Sequence, residues 1–142
     1  MNKGPISTAS TTINAPIATV WAAFVTPETI KQYMFGTDVV SEWKAGSPIA
    51  WKGDYHGTKY EDKGVILKIE PPHVLQYNHF SPLSGEPDVP EHYHTVTIEL
   101  SAKNETTHVT LSQDNNPTEE ERAHTAQSWQ AMLDALKQLL EA

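Results

Sequence analysis

The chain has 142 residues, with ten Lys and Arg against eighteen Asp and Glu, a net charge of −8 with His neutral. It has no cysteine, no basic stripe and no apolar run near the ~18 residues of a membrane-spanning helix. These absences exclude disulfides, thiol nucleophiles, Cys-ligated zinc, a nucleic-acid partner and a membrane span. The length and the 38% hydrophobic content predict a single globular domain over residues 1–142, and a start without an apolar signal segment predicts a cytoplasmic location.

Residues Ile6–Ile13, rich in Thr and Ile, read as a strand. Pro16 then opens a short amphipathic helix, Pro16–Val25, with Ile17, Val20, Trp21, Phe24 and Val25 at helical spacing. Thr26 caps a second helix, Pro27–Tyr33. The period then changes. Asp38–Trp43, Pro48–Tyr55, Lys59–Glu70, His73–Phe80, Tyr93–Lys103 and Thr106–Asp114 read as strands joined by short turns such as Ala45-Gly46 and His56-Gly57. Ser81–Glu91, with three prolines, is a long connection that reads equally as a functional lid or a surface loop. At the end, Thr118 and Glu121 form a capping box. Ala126, Trp129, Leu133, Leu136 and Leu140 follow at steps of 3, 4, 3 and 4. They make an apolar stripe on a helix of about 24 residues, roughly 36 Å long. The expected architecture is α+β: a curved antiparallel sheet of six to seven strands wrapped around a long C-terminal helix, with two short helices after the first strand.

This order resembles the helix-grip (START/Bet v-like) fold of the START-like (SRPBCC) superfamily. Ile13-Asn14-Ala15-Pro16 through Val20-Trp21 is similar to its opening signature, and Gly64–Tyr77, containing Glu70-Pro71-Pro72, is similar to its central strand pair. Thr95–Leu100, Thr107–Gln113 and the Trp129 helix extend the likeness over nearly the whole chain, most closely to the branch named after the C-terminal domain of the heat-shock-protein-90 ATPase activator. The chain departs from many relatives at Tyr33-Met34, where they carry Trp. Nothing before Ile6 supplies the separate N-terminal domain of the eukaryotic co-chaperone, an expectation against the literal chaperone-activating role.

The resemblance implies a cavity between sheet and helix, and alternation along the strands assigns its lining. Ile49, Trp51 and Tyr55 share one face, as do Leu75, Tyr77 and His79, and as do Val96, Ile98 and Leu100 with His94 and His92. Aromatic walls with a few convergent polar groups describe a small-ligand site, although the same aromatics equally fill a core. Trp51, Tyr55, Tyr77, His79, His94 and Trp129 are the candidate ligand-binding residues. Arg122, near the helix start on the line of Trp129, joins them as a partner for an anionic ligand, against pairing with an inward Glu or reaching water. His92 and His94 fall on one side of a strand and could share a metal, yet spacing fixes no third ligand, so no metal and no cofactor are expected. Glu61-Asp62-Lys63 and Glu119-Glu120-Glu121 read as solvated charge runs.

No Ser-His-Asp order or phosphate loop is present, so no catalytic residue is assigned. The leading expectation is a binder of a small apolar, aromatic or lipid-like molecule in a closed cavity of several hundred cubic ångströms. The alternatives are a polyketide cyclase/dehydratase-like or hydrolytic enzyme using His79 or His94, and a module that stimulates a chaperone ATPase through an exposed apolar surface. A homodimer is a further candidate assembly.

Overall fold

A computed structural model describes residues 4–55 and 57–142, the side chains of Tyr55 and Leu83 excepted. The first strand, β1 (Ser7–Ile13), buries Ser7, Ala9 and Ile13 and turns Thr8, Ser10 and Thr12 outward. Helices α1 (Ile17–Val25) and α2 (Pro27–Tyr33) follow, and Pro27 at the start of α2 keeps the two distinct. Together they carry the chain across the fold to β2 (Asp38–Ser41), which lies at the far edge of the sheet from β1. From there the chain walks back as a meander: β3 (Pro48–Tyr55), β4 (Thr58–Glu70), β5 (Val74–His79), β6 (His94–Lys103) and β7 (Thr106–Gln113). The seven strands stand in the order β1-β7-β6-β5-β4-β3-β2, and all pair antiparallel. This is the helix-grip α+β fold.

The expected Asp38–Trp43 strand stops two residues early. Trp43 takes a left-handed φ of 58° and packs against the core, ending the extended run. The Ser81–Glu91 segment forms two short 3-10 turns, Pro82–Ser84 and Pro90–His92. Asp88 pairs with Lys63 and accepts from the Tyr93 hydroxyl, while Phe80 stacks on Tyr93 at 5.2 Å, so the segment is tied down along the sheet.

The last helix, α3 (Glu119–Glu141), starts where the capping box places it: the Thr118 hydroxyl accepts from the Glu121 N–H at 3.1 Å. Its fully buried residues are Met132, Leu133 and Leu136, while Trp129 and Leu140 are half-buried. Met132 lies off the expected stripe, on the flank where α2 packs against α3, near Ile30, Tyr33 and Met34. On the other flank, polar side chains of α3 dress the open edge of β1. Gln130 accepts from Ser10 N–H and donates to its carbonyl, and Lys137 donates to the Thr12 carbonyl at 2.7 Å. An unpaired sheet edge is thereby satisfied without a further strand.

Candidate functional site

Two small chambers lie between the concave face of the sheet and the helices α2 and α3. The inner one, under Phe24, Tyr33 and Ile49, holds only about 30 Å³ and is close to filled. The outer one holds about 110 Å³ and shares Met34, Trp51, Tyr77 and Trp129 with it. Met34, Thr37 and Trp129 also border an apolar recess of about 220 Å³ with Phe35, Ser128 and Met132, on the outer side of the α2–α3 contact. The expected closed cavity of several hundred cubic ångströms is thus corrected. Large side chains of both sheet and helix occupy most of the interior and leave a small, partly open site.

The walls of the outer chamber follow from strand parity. Trp51 on β3 and Tyr77 and His79 on β5 point to the concave side, with Trp51 5.1 Å from Tyr77 and 5.0 Å, edge to face, from His79. Burial pushes the Tyr77 phenol up, so it stays neutral. Trp129 of α3 closes the opposite side, its indole N–H donated to the Gln113 side-chain carbonyl at 2.8 Å.

The polar half comes from β4. Tyr60, Asp62, Gly64 and Ile66 alternate inward along that strand, which corrects the reading of Glu61-Asp62-Lys63 as a solvated run. Glu61 and Lys63 do face solvent, but a strand sends the residue between them to the other side. The Asp62 side chain is only 17% exposed, and its Oδ2 accepts from His79 Nε2 at 2.8 Å. Its other oxygen, Oδ1, is buried and has no hydrogen-bond partner among the described residues. Tyr60 reaches the chamber because Gly53 lies opposite it across the β3–β4 ladder; a Cβ there would strike the Tyr60 ring. The Tyr60 hydroxyl bonds that of Thr37 at 2.9 Å.

Of the candidate residues, the structure brings Trp51, Tyr77, His79 and Trp129 together around this chamber. The Tyr55 side chain lies outside the described residues. His94 sits across from His79 in the β5–β6 register, rings 6.3 Å apart, but borders a separate surface hollow. Arg122 stands away from the chamber, forked onto Glu119 at 2.7–2.9 Å one turn earlier on α3. His92 and His94 border one surface hollow together, away from the chamber. His92 lies in the 3-10 turn before β6, where strand parity no longer applies, and its Nδ1 donates to the Pro87 carbonyl at 2.7 Å. Among the described residues no group of three His, Asp or Glu side chains is placed to hold a metal ion.

His94 carries a pH signature. Burial lowers its pKa below the ordinary histidine value, helped by the nearby His79 and opposed by its Nδ1–H bond to the Asp114 carbonyl at 3.1 Å. The folded state therefore binds a proton at His94 only at lower pH than the unfolded chain does. Stability from this group is present above the ordinary histidine pKa and falls as pH drops through it. Urea titrations from pH 7.5 to 5.5 are expected to show a decline that His94→Gln flattens; an equal decline in the variant would refute the assignment.

A curved sheet gripping a terminal helix over an aromatic recess defines the START-like class. Within that class, the chain belongs to the family described as Activator of Hsp90 ATPase homolog 1-like protein, whose model matches residues 14–141. The solution structure of ChR145 from Cytophaga hutchinsonii is similar at 55% identity, covering 99% of this chain and 96% of that one, with a TM-score of 0.86. The Aha1 dimer from Colwellia psychrerythraea shares the fold at 21% identity, covering 96% of each chain, with a TM-score of 0.73. CalU16 from Micromonospora echinospora does so at 19% identity, covering 99% of this chain and 86% of that one, with a TM-score of 0.74. No curated protein matches. No helix among the described residues is long and apolar enough to cross a membrane.

Proposed function

We propose that the chain binds a small molecule with an apolar or aromatic body, held in the chamber between Trp51, Tyr77 and Trp129. The observation that carries this reading is the unfilled, partly open space whose apolar walls converge on the Thr37–Tyr60 and Asp62–His79 pairs. That combination suits a small-ligand site better than a core, where unfilled polar space is costly. With a ligand at a hundred times its Kd, the unfolding free energy should rise by about 2.7 kcal/mol, read as a thermal shift of several degrees. The test is a thermal-shift screen of small aromatics, lipids and polyketide-like compounds, with native mass spectrometry of freshly purified protein for a co-purifying ligand. The expected result is a stabilising hit that also moves the Trp51 and Trp129 indole resonances. No hit and no co-purifying mass would overturn the proposal.

The Asp62–His79 hydrogen bond favours a second reading, an enzyme in which an oriented imidazole moves a proton on the bound molecule. Turnover lost in His79→Gln with binding retained would support it. Stimulation of a chaperone ATPase, which the family's description names, draws support from exposed Val40, Val65 and Leu67 on strands β2 and β4, outside the chamber. An ATP turnover unchanged on adding this chain would remove that reading.

A further inference from the structure

The polar side of the chamber offers acceptors and lacks cations. None of its lining side chains is Lys or Arg, and the carboxylate of Asp62 keeps one oxygen without a donor among the described residues. Two nearby donors are engaged, His79 Nε2–H by Asp62 and the Trp129 indole by Gln113; the Thr37–Tyr60 pair, which shares one bond, and the Tyr77 phenol leave only neutral hydroxyl donors. Arg122, the cation that would greet an anionic ligand, is held by Glu119 away from the chamber. The wall's carboxylate thus keeps an oxygen short of a donor among the described residues, with no Lys or Arg side chain beside it in the lining.

We infer, resting on the small-molecule reading above, that the ligand is a small protonated amine with an aromatic or apolar body. An ammonium group donates to Asp62 Oδ1 and is attracted by neighbouring aromatic rings. A carboxylate or phosphate head would instead set like charge beside Asp62, with no lining cation to offset it. The dimensions agree: the chamber of about 110 Å³ takes the head, and the body reaches toward the apolar recess of about 220 Å³ beside Met34 and Met132. The net charge of −8 further concentrates cations near the protein and depletes anions.

Three probes on one skeleton test this: benzylamine, benzyl alcohol and benzoate, titrated at pH 7 and low salt and followed by calorimetry and by the Trp51 and Trp129 indole resonances. Benzylamine is expected to bind about tenfold tighter than benzyl alcohol, a difference of about 1.4 kcal/mol, and benzoate not to saturate. Asp62→Asn should bring benzylamine to within about threefold of benzyl alcohol measured on the same variant, whose fold is checked by its thermal melt. If that variant fails to fold, the ranking of the three probes on the unaltered protein decides. Alcohol or benzoate binding as tightly as the amine overturns the inference and leaves the small-molecule reading standing. The same holds if none of the three binds while another compound from the screen does. If nothing binds, both fall.

Discussion

Trp51→Ala is expected to lower the unfolding free energy by about 3–5 kcal/mol and to abolish ligand binding in the chamber. Trp51 is 6% exposed, lies between Val39 and Asp62 in the sheet register, and borders both the inner and the outer chamber. Removing it leaves Tyr77 and His79 without their ring contacts at 5.1 and 5.0 Å and adds the volume of an indole to the space beside both chambers. The loss therefore has a transfer part and a cavity part, and the cavity part is large because β3 sits inside a paired sheet. Urea unfolding at constant m-value measures it. A loss under about 1 kcal/mol would mean that Trp51 is not a wall of the core, since fully burying a large apolar side chain is worth more than that.

Gly64→Ala is expected to cost about 2–4 kcal/mol although it adds a single methyl group. The reason is space, not dihedral freedom. A Cβ on Gly64 would fall on the Asn78 backbone carbonyl, which cannot swing aside as a side-chain end would. The pairing of β4 with β5 is irregular here. Val65 N–H is taken by the Asn78 side chain at 2.7 Å, and Lys63 exchanges backbone bonds with Phe80 at 3.0 and 2.8 Å. Asp62 and His79 stand on either side of this close approach, so lifting β5 away should also break their hydrogen bond. The check is urea unfolding combined with the His79 ring resonances. Near-wild-type stability with an unmoved His79 would show that the strands have room the geometry denies.

Much of this arrangement is legible in the order of residues. The α3 start follows from Thr118 and Glu121, because a cap is a local hydrogen bond among neighbours in sequence. The inward direction of Trp51, Tyr77 and His79 follows from alternation, which the strand backbone imposes. Asp62 is equally legible by parity with Tyr60 and Ile66, but its charged neighbours make a solvated run the simpler reading. His92 borders the same hollow as His94 from a 3-10 turn ahead of the strand, so the turn and not strand parity places it there.

Sequence alone determined the element order, the meander, the inward face of Trp51, Tyr77 and His79 and the absence of cysteine chemistry, since these depend on local periodicity and composition. Tertiary structure alone decided that Asp62 would meet His79 from a position 17 residues away, and that one carboxylate oxygen would lack a donor among the described residues. It also decided how much space is left, because a void is the small difference between the volume the sheet encloses and the side chains sent into it. No single strand records that difference, and in this protein it is the space in which a ligand would be held.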